Sequence, residues 1–327
     1  MVKIGVLGAG HLGSIHIKLI QQIDDFELVG IYDPDKEKCN KAVEQYGTRV
    51  FDSVDELIDA CEAVDIVTPT LSHYECAVKA IKKSKHIFVE KPLTNTVQEG
   101  HSLLQLASEA SIKGQVGHVE RFNPAFLAAG KYHLEPKFME IHRLSEFNPR
   151  GTDVPVVLDL MIHDIDIVLS VVKARVKSIQ ASGVPVISDT PDIANARIEF
   201  DNGAVANITA SRVSLKKMRK ARFFQQDGYI AIDFLDKKVE AFRISDGDIS
   251  NSPFSFEIDP KNNGEKKILS YEAPAAPEVN AIKYELELFA KSIIDDIEPP
   301  VTLEDGFHSL EVAHQILEKI EMNHAKF

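Results

Sequence analysis

The chain begins with a strand that runs through a glycine-bounded turn into a helix: "KIGVLGAGHLGSIHIKLI", Lys3 to Ile20. The same alternation then repeats. Strand candidates "KIGVLG", "FELVGIYD", "TRVF", "AVDIVTPT", "KHIFVEKP" and "KGQVGHV" are separated by amphipathic stretches at 12–23, 36–46, 54–60, 73–82 and 96–110. Near-continuous apolar strands alternating with helices predict an α/β domain, a doubly wound parallel sheet covered on both faces.

After about residue 120 the texture changes. Alternating strands stand at "KFMEIHRLSEF", "VKSIQASGVPV", "ANARIEFDNGAVANITASR", "ARFFQQDGYIAIDF" and "KKVEAFRI", and "FDNGAV" and "FQQDGYI" carry Asn-Gly and Asp-Gly turn signals. These predict hairpins in an antiparallel sheet. Helical segments near 278–296 and 303–322 close the chain, and polar stretches at 246–253 and 259–267 read as exposed loops. The 327 residues suffice for two domains with their own cores, divided here as 1–120 and an α+β domain over 121–327.

Charge and cysteines narrow the function classes. Lys and Arg number 37 against 50 Asp and Glu, a net charge of −13 that argues against an extended nucleic-acid surface. Cys39, Cys61 and Cys76 have no paired short spacing and suggest no secreted disulfide framework. The first residues enter a strand without a leader-like segment, and no apolar run reaches membrane-spanning length, so a reduced cytoplasm is the expected compartment.

Gly8-Ala9-Gly10-His11-Leu12-Gly13 fits G-x-G-x-x-G, and Asp33 ends the second strand 20 residues beyond Gly13. The glycines allow a tight turn and backbone approach to a pyrophosphate at the helix N-terminus, while the acid suits ribose hydroxyls and repels a 2′-phosphate. NAD is the expected cofactor, in preference to NADP. Thr68, Pro69, Thr70 and His73 follow at the end of the fourth strand candidate, on the carboxyl edge where such sheets bind ligands. For His73 a structural or cofactor-lining role is expected over chemistry. Glu90-Lys91-Pro92 leaves the fifth strand candidate at the same edge, with Glu90 and Lys91 expected to face the ligand.

"VLDLMIHDIDIV", Val157 to Val168, is a helical pattern apolar almost all round. At about 100° per residue, Asp159, His163 and Asp166 fall within roughly 60° of one another, with Asp164 outside the stripe. Such a helix is expected to be buried, and its acids to be paired or to face a site.

Taken in order, the glycine turn, Asp33, the Thr-Pro turn, "EKP" and Asp159-x-x-x-His163-x-x-Asp166 resemble the Gfo/Idh/MocA family of NAD(P)-dependent sugar oxidoreductases. The resemblance covers essentially the whole chain. It implies an N-terminal Rossmann domain, a second domain with a large open antiparallel sheet, and an active site between them. By resemblance Lys91, Asp159 and His163 carry the chemistry, His163 as base, Lys91 assisting at the same oxygen, and Asp159 orienting the imidazole or holding a hydroxyl. No metal site is expected. "VGHVERFNPAF" is similar to a segment of the branch that oxidises the 3-hydroxyl of UDP-N-acetylglucosamine, with the UDP-N-acetylglucosaminuronate dehydrogenases next. That match would put Glu120, Arg121, Asn123 and Pro124 at the cofactor and substrate. "SRVSLKKMRKARFF" adds Arg212, Lys216, Lys217, Arg219, Lys220 and Arg222; Arg212 and Arg219 are candidates for a substrate diphosphate, and a solvated basic edge is the alternative. A dehydrogenase of a free polyol or monosaccharide such as inositol, and a non-catalytic NAD-responsive regulator, remain the other readings. The open sheet of such domains is expected to be covered in a homodimer or homotetramer.

Overall fold

The computed structural model describes residues 1–148, 154–246, 254–259 and 266–324. The chain forms two compact units, Met1–Val119 with Asn280–Glu311, and Glu120–Val279 with Val312–Phe327. The first unit therefore also takes up residues 280–311, which the linear division at 120 assigned to the second domain. The loop readings at 247–253 and 260–265 lie outside the described residues.

In the first unit, strands β1 (Val2–Leu7), β2 (Phe26–Tyr32), β3 (Ala63–Ile66), β4 (His86–Glu90) and β5 (Gly114–Gly117) alternate with helices α1 (His11–Ile20), α2 (Lys36–Tyr46), α3 (Val54–Ala60), α4 (His73–Lys82) and α5 (Val97–Ala110). The sheet order is β2-β1-β3-β4-β5, parallel throughout. The expected strand "TRVF" makes only one bridge, Val50 to Ile31, on the outer side of β2. Local chemistry sets the helix starts. Asp35 accepts from Glu37 N, Ser53 from Glu56 N, and Thr96 and Glu99 form a reciprocal capping box at α5.

The second unit holds β6 (Phe138–Leu144), β7 (Val176–Val184), β8 (Ile193–Phe200), β9 (Val205–Ser211), β10 (Met218–Gln225), β11 (Gly228–Asp233), β12 (Lys238–Ser245), β13 (Phe254–Ile258) and β14 (Lys267–Glu272), with helices α6 (Pro124–Ala129) and α7 (Ile162–Val171). They form a nine-stranded sheet, β13-β14-β12-β11-β10-β6-β9-β8-β7, antiparallel except for β6 beside β9. One face is apolar and buried, with Ile141, Phe223, Ile232, Ala241, Ile198 and Ile208 among its residues. On the other, Phe254, Tyr271, Phe242, Tyr229, Phe224 and Phe138 pair directly across six consecutive strands. Such cross-strand aromatic pairs stabilise the sheet. Phe224, Phe242 and Phe254 are exposed.

Helices α8 (Ala281–Ile294) and α9 (Leu303–His324) end the chain. Leu286, Phe289 and Ala290 of α8 join the core of the first unit with Ile4, Ile17, Phe26 and Phe88.

Candidate active site

The β1–α1 turn is built for close approach. Gly8 has φ +103, a conformation side chains rarely adopt, and a Cβ on Gly13 would overlap the Gly8 carbonyl oxygen. Both glycines are needed by the fold itself. Gly10 is different: its φ is −68 and nothing lies near where its Cβ would be. It stands at the N-cap of α1, where no side chain satisfies the helix amides. Asp33 closes the other side, Oδ2 accepting from Ala9 N at 2.8 Å and Oδ1 from Asp35 N at 2.9 Å. An uncapped helix start, a glycine with open space and an acid beside them fit a dinucleotide, with pyrophosphate at α1 and ribose at Asp33. His11 is exposed and Leu12 half-buried in the same turn.

At the carboxyl edge, Thr68 and Thr70 are half-buried and Pro69 is exposed. His73 is buried, its Nδ1 2.8 Å from the Pro92 carbonyl oxygen and its Nε2 2.9 Å from that of Thr68. Burial holds its pKa below the ordinary value despite the two carbonyls. The ring therefore ties the end of β3 to the segment after β4. Lys91 is half-buried at that edge. Glu90, expected to face the ligand, turns inward. Its Oε2 accepts from Lys91 N at 3.2 Å and its Oε1 lies 3.3 Å from His16 Nε2.

In the second unit the stripe is more finely divided than a uniform helix predicts. Val157–Met161 is a π-helical turn that passes into α7, so the 100° step does not hold across Asp159. Asp159 and His163 remain half-buried, whereas Asp164 and Asp166 are buried. Arg121 grips Asp166 in a fork, Nε to Oδ2 and Nη2 to Oδ1, both 2.8 Å. Asp164, the acid outside the stripe, receives Arg143 Nη2 at 2.8 Å, while Arg143 Nη1 donates to Glu120 at 2.9 Å. Burial pushes the Asp164 carboxyl up, against the pull of Arg143. The Arg143 guanidinium is raised overall, because Asp164 and Glu120 outweigh the burial that opposes its charge.

The "RFNP" residues complete this network. Asn123 donates to Glu120 and to the Phe234 carbonyl and accepts from Ala125 N, capping α6 ahead of Pro124. Arg212 is buried, donating to Asp192 at 2.8 Å, to the Val154 carbonyl, and to Ser188 and Thr190. Glu120, Arg121, Asn123 and Arg212 therefore have partners inside their own unit. Arg219 is largely exposed and touches Glu120 at 3.4 Å. Lys220 pairs with Asp233 and Arg222 with Glu140. The sequence reading missed Arg143, His16 and Asp65. An acid inside the apolar strand "AVDIV" was the available signal for Asp65. Among the described residues no group of three or more His, Cys, Asp or Glu could hold a metal ion, and no helix is long and apolar enough to cross a membrane.

Residues 2–118 match the oxidoreductase family with an NAD-binding Rossmann fold, GFO/IDH/MocA, and residues 105–231 match the C-terminal domain of the same family. The UDP-N-acetylglucosamine 3-dehydrogenase of Acidithiobacillus ferrooxidans is 35% identical over 254 residues, 77% of this chain and 80% of that protein. Its solved structure superposes with a TM-score of 0.88 at 31% identity, covering 98% of both chains. The NAD(+)-dependent scyllo-inositol 2-dehydrogenase of Bacillus subtilis is 31% identical over 233 residues, 65% of this chain and 68% of that protein. A scyllo-inositol dehydrogenase from Lactobacillus casei, solved with NAD(H) and scyllo-inositol, shares the fold, with a TM-score of 0.78 at 19% identity over 99% and 98% of the two chains.

Proposed function

The chain belongs to the Gfo/Idh/MocA family of NAD-binding oxidoreductases, and we propose that it oxidises a secondary hydroxyl of a nucleotide sugar, the 3-hydroxyl of UDP-N-acetylglucosamine. The observation that supports the chemistry is the sorting of polar side chains along the π turn and α7. Asp164 and Asp166 are buried and paired with arginines, while Asp159 in the π turn and His163 at the start of α7 are half-buried. The likeness to the Acidithiobacillus ferrooxidans enzyme over 98% of both chains supports the substrate class.

The dinucleotide that the β1–α1 turn and Asp33 would hold would supply the hydride acceptor for the carbinol carbon. The protein's part is the proton. His163 takes it from the hydroxyl as the carbonyl forms, the imidazole acting as general base. Lys91 stabilises negative charge on the same oxygen, or passes the proton on. Asp159 orients the imidazole or holds a neighbouring hydroxyl. Arg219, exposed on β10, is the candidate cation for a diphosphate.

A free polyol as substrate is the second reading. Resemblance to the Bacillus subtilis inositol enzyme favours it, as does the engagement of Arg212 with Asp192. A non-catalytic NAD-responsive regulator is the reading outside enzymes. We further propose a homodimer or homotetramer that covers the exposed aromatic row, checked by light scattering of the wild type and Phe242→Asp.

The deciding assay follows nicotinamide reduction with UDP-N-acetylglucosamine, its uronate, UDP-glucose, myo-inositol and free glucose, with a carbonyl trap present. Turnover restricted to UDP-sugars, reduced about 10²–10⁴-fold in both Lys91→Ala and His163→Ala, is the expected result. Turnover with polyols alone would transfer the assignment to the second reading. Tight NAD binding without turnover of any of them would favour the regulator. Gly10→Ala serves as the cofactor control: an unchanged unfolding midpoint with a weakened NAD Kd is expected, because only a ligand needs that space.

A further inference from the structure

A buried polar chain lies beneath the "EKP" segment, and neither the cofactor turn nor the proton chemistry uses it. His16 sits on the inner face of α1, fully buried. Its Nδ1 is 3.0 Å from Asp65 Oδ2 in the middle of the sheet, and its Nε2 is 3.3 Å from Glu90 Oε1 at the end of β4. Glu90 in turn accepts the amide of Lys91 at 3.2 Å. The carboxylate has little room to move, since a Cβ on Gly117 of β5 would come within 2.7 Å of its Oε1. Phe88 packs edge-on against the imidazole at 5.8 Å.

We propose that Asp65 and His16 form a buried relay that positions Glu90, and through it Lys91, at the carboxyl edge of the first unit. His16 is a positioning residue, and the assignment rests on the catalytic role proposed for Lys91.

The arrangement has an electrostatic logic beyond a tie between α1, β3 and β4. A carboxylate as buried as Glu90 would take up a proton unless a cation faced it. The imidazole between two carboxylates supplies that cation. Its pKa is raised well above the ordinary value: burial opposes the charge, but Asp65 and then Glu90 outweigh it. Burial likewise opposes charge on Glu90, but the contacts from His16 and Lys91 outweigh it and its pKa is lowered. Two further titratable groups face the cluster: Glu285 of α8, also fully buried, whose carboxyl is pushed well up by burial and by Glu90, and buried His73, which burial holds below its ordinary value against the pull of Glu90. Neither supplies a compensating cation: a carboxyl carries no positive charge, and burial opposes charge on His73. The imidazolium, helped by Lys91, therefore keeps Glu90 ionised, and the ionised Glu90 holds the Lys91 backbone.

The test compares His16→Gln, which keeps a neutral donor toward Glu90, with Asp65→Asn, Glu90→Gln and Lys91→Ala. For each, kcat is measured between pH 6 and 9 with NAD⁺ and the sugar that turns over, beside the calorimetric Kd for NAD. Without the imidazolium, the Glu90 carboxyl titrates upward. The ratio of His16→Gln to wild-type kcat is expected to fall toward acid, reaching at least tenfold loss near pH 6, with the NAD Kd within twofold of wild type. Asp65→Asn should show a weaker version of the same slope, and Glu90→Gln a low kcat whose ratio to wild type does not vary with pH. A ratio for His16→Gln that is constant across pH, however low, would reduce the relay to a structural tie and overturn the proposal. Should Lys91→Ala match the wild type, the reading of Lys91 has failed, and the relay is judged by nitrogen NMR of His16. A ring carrying both protons through pH 8 keeps the Asp65–His16–Glu90 positioning of the edge, and a ring titrating near its ordinary value removes it.

Discussion

The two units solve the same problem, acids buried beside a candidate site, with different cations. In the second unit the buried acids face arginine: Asp164 and Glu120 share Arg143, and Asp166 is forked by Arg121. In the first, Asp65 and Glu90 share a single histidine, with Glu285 nearby. Arginine does not lose its proton in proteins, and its fork matches a carboxylate in two bonds. Histidine gives up its charge within the working range of an enzyme. The second unit therefore has an ionic scaffold whose cations are permanent, and the first has one whose cation depends on its neighbours. The difference places fixed geometry around Asp159 and His163, and proton-linked geometry beneath Lys91.

The largest expected effect comes from breaking the arginine scaffold. Arg143→Leu strands Glu120 and Asp164 in a buried site, and removal of one partner of such a pair costs about 3–5 kcal/mol. Denaturant unfolding should show that loss, and Arg143→Lys should recover only part of it, because an ammonium cannot donate to both acids in the same planar fork. A cost below about 1 kcal/mol, the range of exposed pairs, would mean the network is hydrated and the contrast with the first unit is smaller than the geometry implies.

The next effect is in the pH dependence of stability, where the units should differ in sign. The His16 pKa is raised in the folded protein above its ordinary 6.5. Its contribution is complete below that value and declines as pH rises from there through the folded value. Asp192, held by the backbone amides of residues 186–188 and by Arg212, has its carboxyl well below the ordinary 3.8. Its contribution is present above 3.8 and is lost as pH falls through the folded value. Wild-type stability should thus decline on both sides. His16→Gln should flatten the alkaline side and, because Glu90 loses the imidazolium that lowers its carboxyl, also change the acid side, whereas Asp192→Asn should act on the acid side alone. If Asp192→Asn also flattened the alkaline side, the proton linkage would not separate by unit.

The same contrast explains what the sequence could tell. The parallel sheet, the glycine turn and the open antiparallel sheet were legible because they depend on local patterns: apolar runs, glycines at fixed offsets, and Asn-Gly or Asp-Gly turns. The roles proposed for Lys91, Asp159 and His163 rest on the order of motifs along the chain. The partners were not. Glu120 meets Arg143 across 23 residues and Asp65 meets His16 across 49, so no local period links them. A uniform helical step also fails for Asp159, because the π turn at Val157–Met161 changes its rotation relative to the residues of α7. Asp164, set aside as the exception to the stripe, proved to be a principal anchor of Arg143. The return of 280–311 to the first unit was hidden for a related reason: α8 carries an ordinary amphipathic pattern, and nothing in it states which core its apolar face joins.

The smallest expected effect tests whether any cation of the second unit is held for a ligand and not for the fold. Arg219 is the candidate. Its side chain is 48% exposed and meets Glu120 at 3.4 Å, a carboxylate already bound by Arg143 and Asn123. An exposed pair of this kind contributes about 0–1 kcal/mol. Arg219→Ala should therefore leave the unfolding midpoint nearly unchanged. If Arg219 binds the diphosphate of a nucleotide sugar, the same variant should raise KM for the UDP-sugar about tenfold, since hydrogen bonds to charged groups contribute about 1.5–3 kcal/mol, while kcat changes little. An unchanged KM beside an unchanged midpoint would leave Arg219 as a solvated residue of the sheet. The cation for a diphosphate would then have to be sought elsewhere, because Arg143 and Arg212 are already occupied by the acids that hold their unit together.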